Sequence, residues 1–201
     1  MESNLITIVL IASASSVAGV LAGMLGIGGG IVIVPMLYYL LTYFGLDQSI
    51  IMHVAVGTSL FIIIPTGLRS AFEHSKRGSF NLSIFKKWLI PIALGSVLGS
   101  YLAGISSFKG LTVLFATLAS VVSYQMFSSS KKDESLRIIE HPLLNISPFF
   151  IGIFSSMMGI GGGNLSVPIM SYMGIEIRKA IGTSSALGII IAIPGSIGFM
   201  I

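Results

Sequence analysis

The sequence predicts an all-α integral membrane protein: a polytopic helical bundle of two inverted repeats with glycine-broken helical hairpins, the second repeat incomplete. Three observations carry this prediction. Of the 201 residues, 54% are hydrophobic and only 9% are charged, against roughly 25% charged in a soluble domain. Stretches free of Asp, Glu, Lys and Arg cover 3–46, 48–68, 88–108, 110–130, 141–175 and 180–201. Several exceed the ~20 residues that a spanning helix needs. The third observation is a motif written twice. Gly26-Ile27-Gly28-Gly29-Gly30 with Pro35 returns as Gly159-Ile160-Gly161-Gly162-Gly163 with Pro168, and Gly19 and Gly152 keep the register, all at an offset of 133 residues.

Taken in order, residues 4–25 read as the first membrane helix, with Gly19-xxx-Gly23 and several alanines suited to close helix packing. Met1-Glu2-Ser3-Asn4 lacks the basic start of a secretory signal, so the N-terminus is expected to be retained. After the glycines comes a shorter helix, 31–44, with Pro35 in its first turns, where a missing N–H is least disruptive. Helices follow at 50–72, at about 86–106 with Gly95-xxx-Gly99 as a packing face, and at about 110–128. These make the first membrane repeat, 1–130, followed by a polar cytoplasmic linker, 131–144. Helices at 146–158, 164–173 and 178–201 then reproduce elements one to three as the second repeat, 145–201. With no counterpart to elements four and five, a lone chain is expected to enclose its second site less well. It would then be inactive or stabilised by self-association.

Basic residues set the orientation. Arg69, Lys76, Arg77, Lys86 and Lys87 flank one loop, Lys131, Lys132 and Arg137 lie in the linker, and Arg178 and Lys179 mark a third loop. All three are expected on the cytoplasmic side of the plasma (inner) membrane, which puts the N-terminus outside. The first glycine hairpin then enters from outside and the second from the cytoplasm, the construction of many secondary transporters. Trp88, Tyr38, Tyr39, Tyr43 and Tyr101 fall near predicted span ends, as an aromatic belt requires.

Three successive glycines are poor helix interior. In lipid a broken helix is tolerated only where protein buries the freed backbone or a polar cavity receives it. The N–H groups at the start of each short helix have no intrahelical partner and carry partial positive charge. Gly28, Gly29, Gly30 and Ile31, with Gly161, Gly162, Gly163 and Asn164, are therefore candidate anion-binding residues, tight helix packing being the other reading. Asn164 stands where the first copy has Ile31, so the two breaks are not equivalent. Thr58 and Ser59, repeated as Thr183 and Ser184, either donate to a substrate oxygen or bond the carbonyl four residues back. His53 and Arg69 are candidates for gating or coupling. Their other readings are a lone interfacial histidine and a helix-end ion pair with Glu73.

Composition excludes other classes. There are no cysteines, and the three histidines, at 53, 74 and 141, form no cluster with acidic residues. No catalytic residue, metal site or cofactor is expected, and the chain does not read as an enzyme. The net charge of +4 is scattered between spans and describes loops, with no nucleic-acid partner implied. The expected partners are a small anion, the lipid bilayer and a second copy of the chain.

The segment 19–35, its repeat at 152–168, and the A-x-G-T-S segments at 55–59 and 180–184 resemble the TauE/SafE family of sulfite exporters, or anion permeases for sulfur compounds. The resemblance implies movement of small sulfur-containing or organic anions, such as sulfite or sulfonates, coupled to an ion gradient. Joined to the anion preference of the helix ends, it gives a secondary transporter working by alternating access around the two glycine breaks. The alternative is a non-transporting membrane subunit or truncated product that needs a partner chain.

Overall fold

A computed structural model describes residues 29–129 and 142–200, together with residues 12, 15, 16, 19 and 20. Among them are seven helices and no strand: α1 (Gly30–Tyr43), α2 (Gln48–Lys76), α3 (Leu82–Ile105), α4 (Phe108–Ser129), α5 (Pro142–Met158), α6 (Gly163–Tyr172) and α7 (Ile177–Gly198). The helices α2, α3 and α7 are each long and apolar enough to cross a membrane. Among the described residues the protein is all-helical, which meets the backbone pairing that a membrane-spanning chain requires. Of the helix expected over 4–25, the five described residues are helical. Its remainder, Gly26 to Gly28 and most of the expected linker lie outside the described residues.

Local chemistry sets the helix starts. The Asp47 carboxylate accepts from the Ser49 N–H at 2.9 Å and from its hydroxyl at 2.9 Å, capping α2. The bonds from the Ser49 backbone and hydroxyl hold that carboxyl below its ordinary range. Asn81 caps α3 in the same way, accepting from the Ile84 N–H at 3.2 Å.

Two seams hold the bundle together. On the first, α3 and α5 run parallel with their backbones in contact. A Cβ on Gly95 would meet the Phe149 carbonyl, one on Gly99 the Ile153 carbonyl, and one on Gly152 the Ile92 carbonyl. Lipid is as apolar as Leu, so burial alone drives little association inside a membrane; close backbone approach through small residues does. On the second seam α2 and α7 run antiparallel. Gly57 lies against Phe199, Leu60 against Gly195, Gly67 against Ile189, and His74 against Gly182. α1 packs on α2, while α7 also packs on α3 and α6.

The α2–α3 loop folds onto the start of α7, where a Cβ on Gly182 would strike the Ser79 carbonyl. Lys76, Arg77, Lys86 and Lys87 therefore share one end of the bundle with Arg178 and Lys179, all exposed. At the other end, His53 at the start of α2 meets the last turn of α3.

Trp88 departs from the expected aromatic belt. It is 1% exposed and packed in the core with Ile92 and Leu187. The reason is that α3 begins at Leu82, earlier than the sequence suggests, so residue 88 is already inside the bundle. Tyr39, Tyr43 and Tyr101 are exposed.

Candidate functional site

The site is built on the turn between α5 and α6. α5 ends at Met158 and α6 begins at Gly163. Gly159 and Gly162 have φ of +69° and +73°, a region open to glycine and strained for other residues. The Gly162 carbonyl gathers the start of α6, accepting from the N–H groups of Leu165 at 3.2 Å and Ser166 at 2.8 Å. It also accepts from the Ser166 hydroxyl at 2.7 Å. Gly29 does the same for α1, accepting from Val32 at 3.1 Å and Ile33 at 2.8 Å. These are the positions that the 133-residue offset pairs.

The turn sits at mid-height. Gly159 packs on Val56 of α2 and Gly161 on Ile63. From α7, a Cβ on Gly188 would lie 2.5 Å from the Gly161 carbonyl, and Ile191 packs on Gly162. Ile63, Gly188 and Ile191 lie near the middle of their long helices, and Val56 nearer the start of α2. The Ser59 hydroxyl, fully buried, donates to the Gly159 carbonyl at 2.8 Å. Gly30 closes the cluster, since a Cβ there would run into the Gly159 carbonyl and, at 2.7 Å, the Ile160 Cα. The start of α1 and the turn before α6 are thus in direct backbone contact.

Unpaired polar groups collect at this point. Among the described residues the N–H groups of Gly163 and Asn164 find no backbone acceptor. They sit where the helix end carries about half a positive charge. Asn164 is 2% exposed, and among the described residues neither its Oδ1 nor its Nδ2 has a hydrogen-bond partner. The Ser155 Oγ, at the end of α5, is also buried and, among the described residues, unpartnered. It lies 3.8 Å from the place of a Cβ on Gly162. Each buried polar group left this way costs about 1–3 kcal/mol. A polar ligand therefore has more to gain here than beside satisfied groups. The apolar groove of about 310 Å³ between α5 and α6, walled by Phe150, Phe154, Leu165 and Ile169, is a separate feature without such groups.

The remaining candidates stand elsewhere or are occupied. Thr183 Oγ1 accepts from the Asn81 N–H at 2.9 Å and donates to the Lys179 carbonyl at 2.7 Å, tying the α2–α3 loop to α7. Ser184 bonds the Ile181 carbonyl of its own helix at 3.3 Å. Thr58 and Ile31 are half-buried, beside Ser59 and Gly30 in sequence. His53 Nε2 lies 3.2 Å from the carbonyls of both Ala103 and Ser106, so that nitrogen carries the hydrogen. Arg69 pairs with Glu73 at 2.9 Å on the exposed surface.

The family model for the sulfite exporter TauE/SafE matches residues 11–201. The chain belongs to the TauE/SafE family. It is 36% identical over 187 residues to a probable membrane transporter protein of Haemophilus influenzae, covering 92% of this chain and 71% of that protein. It is 29% identical over 205 residues to the probable membrane transporter protein YunE of Bacillus subtilis, covering 92% and 75%. The probable membrane transporter protein MJ0441 of Methanocaldococcus jannaschii is 25% identical over 197 residues, covering 92% and 69%. No solved structure matches.

In this TauE/SafE chain, the glycine turn brings together Gly30, Ser59, Gly161, Gly162, Gly163 and Asn164. Ser155 is the residue that sequence reasoning missed. It takes the place of Ala22 in the first copy, a polar-for-apolar departure of the same kind as Asn164 for Ile31. Thr183 is expected to matter for folding. Thr183→Val leaves the Asn81 N–H without its partner and should destabilise the protein by about 1–3 kcal/mol. Thermal unfolding in detergent measures this. An unchanged midpoint would mean that the loop docks without that bond.

Proposed function

We propose that this protein is a secondary transporter for small anions, sulfur-containing ones such as sulfite or sulfonates in particular, by alternating access around its two glycine turns. The backbone contact of Gly30 with Gly159 and Ile160 carries the reading. It joins the two copies of the motif halfway along the bundle, where broken helices of transporters bind their substrates. The partial charge at the α6 start and the unpartnered amide of Asn164 support an anion. The membership in a family described as sulfite exporters supports sulfur.

The two copies are proposed to be inverted repeats. In support, α2 and α7, which carry the matching G-T-S segments, run antiparallel. The basic end of the bundle is proposed to face the cytoplasm, in keeping with the excess of Lys and Arg there. Single cysteines introduced into this cysteine-free chain test the orientation. Positions 47 and 109 should label from outside, and 76 and 178 should not. Outside labelling at 178 would reverse the second repeat.

Transport itself is tested by flux into proteoliposomes across sulfite, thiosulfate, sulfate and a sulfonate. Gly162→Val forces a branched side chain into a left-handed backbone position and against Ile191. It should remove the flux while the protein still reaches the membrane. Full flux in that variant would sink the role of the turn. Absent flux from the wild type, with co-purification of a membrane partner, would select a non-transporting subunit instead.

A further inference from the structure

Resting on this transporter reading, the turn also bears on the protonation state of its ligand. We propose that Asn164 and Ser155 form a subsite for an oxyanion that carries an acidic hydrogen. Such a hydrogen-oxyanion is favoured over a dianion, and over a monoanion with no hydrogen to donate.

The first argument is hydrogen-bond complementarity. Among the described residues, both ends of the Asn164 carboxamide are unpartnered within a side chain that is 2% exposed. The Nδ2 can only donate and the Oδ1 can only accept. A fully ionised oxyanion satisfies the donor but sets its own lone pairs against those of Oδ1. An oxyanion with one O–H satisfies both. Exchanging the oxygen and nitrogen of the amide changes nothing, because neither position has a partner. The Ser155 hydroxyl, buried and unpartnered on α5, turns to donate or accept as the ligand requires.

Charge is the second argument. Among the described residues, the groups nearest the turn come from Gly30 and Val34 of α1, Val56, Ser59 and Ile63 of α2, Ile151 and Ser155 of α5, and Gly188 and Ile191 of α7, and none is charged. The titratable groups of these elements lie elsewhere. They are Tyr38, Tyr39 and Tyr43 on α1, His53, Arg69, Glu73, His74 and Lys76 on α2, Tyr172 on α6, and Arg178 and Lys179 on α7; α5 has none. A helix start supplies about half a positive charge, which suits one negative charge in a buried site and falls well short of two. The pH dependence of binding therefore comes from the ligand.

The test is calorimetric binding to the purified protein in detergent, where no gradient exists to couple to protons. The probes are sodium sulfite, above and below its second ionisation, and sodium methanesulfonate, a permanent monoanion with no acidic hydrogen. Wild-type affinity for total sulfite should rise as hydrogen sulfite becomes the main form, and hydrogen sulfite should bind at least ~10-fold tighter than methanesulfonate. Asn164→Leu should bring that ratio close to one. If that variant does not fold, Ser155→Ala should lower the ratio partway. Wild-type binding that is pH-independent and equal for the two probes would overturn the proposal and leave the transporter reading in place. The same holds if the foldable variants keep the wild-type ratio, which makes Asn164 and Ser155 structural residues only. No binding of either probe, together with no anion flux, would overturn the transporter reading as well.

Discussion

Replacing Gly30 by leucine is expected to reduce sulfite flux in proteoliposomes to the level of empty vesicles. A side chain there grows directly into the Gly159 carbonyl and the Ile160 backbone. A flexible neighbour could rotate aside, but a main chain held between α2 and α7 cannot. The start of α1 must move away from the second turn, and the junction between the two copies opens. Gly104 on α3 provides the control, because a Cβ there meets nothing within 4 Å. Gly104→Ala should transport as wild type does. Normal flux in Gly30→Leu would show that the meeting of the two motifs is incidental to transport.

The second large effect concerns assembly. Gly95→Leu should leave little folded protein after detergent extraction. The new side chain would occupy the position of the Phe149 carbonyl, with the Ile153 nitrogen 3.2 Å from its Cβ. Overpacking a well-filled interface costs about 1–3 kcal/mol, occasionally more. This contact is backbone against backbone, so the upper end applies. Gly152→Leu attacks the same seam from α5, and a Cβ at that position lies 2.9 Å from the Ser96 nitrogen. The two single variants should show similar losses by size-exclusion chromatography, and the double variant should be little worse than either. Monodisperse, thermally unchanged Gly95→Leu protein would remove the α3–α5 seam as the main clamp.

Much of the helical layout was legible in the sequence, because a lipid-spanning chain announces its helices by what it leaves out. The charge-free runs and the glycine and proline punctuation place the helices over 50–72 and 164–173 close to the observed Gln48–Lys76 and Gly163–Tyr172. The Gly95-xxx-Gly99 face was legible for the same reason, since small residues four apart allow close approach. Contacts between distant segments were not legible. Nothing local in Gly182-Thr183-Ser184 says that Thr183 will serve the Asn81 N–H across the α2–α3 loop. A hydroxyl in a span reads as a ligand candidate until its partner is known. The burial of Trp88 was hidden in the same way. An indole near a span end sits equally well at an interface or one turn deeper, and only packing into the bundle core decides. At the candidate site, the asymmetry between Ile31 and Asn164 was visible. Its companion Ser155 became noticeable only beside the turn, although alignment of the two copies already sets it against Ala22.

Trp88 is the single tryptophan of the chain, and its surroundings make it an optical probe that needs no engineering. Among the described residues its indole Nε1 has no hydrogen-bond partner, and the side chain is 1% exposed. An excited indole relaxes by reorienting nearby dipoles, and here there are few to reorient. Its emission should therefore lie at the short-wavelength end of the tryptophan range, and aqueous quenchers such as iodide should scarcely dim it. Any loosening of α3 would let water reach the ring, and the light would redden before the helices themselves unwind.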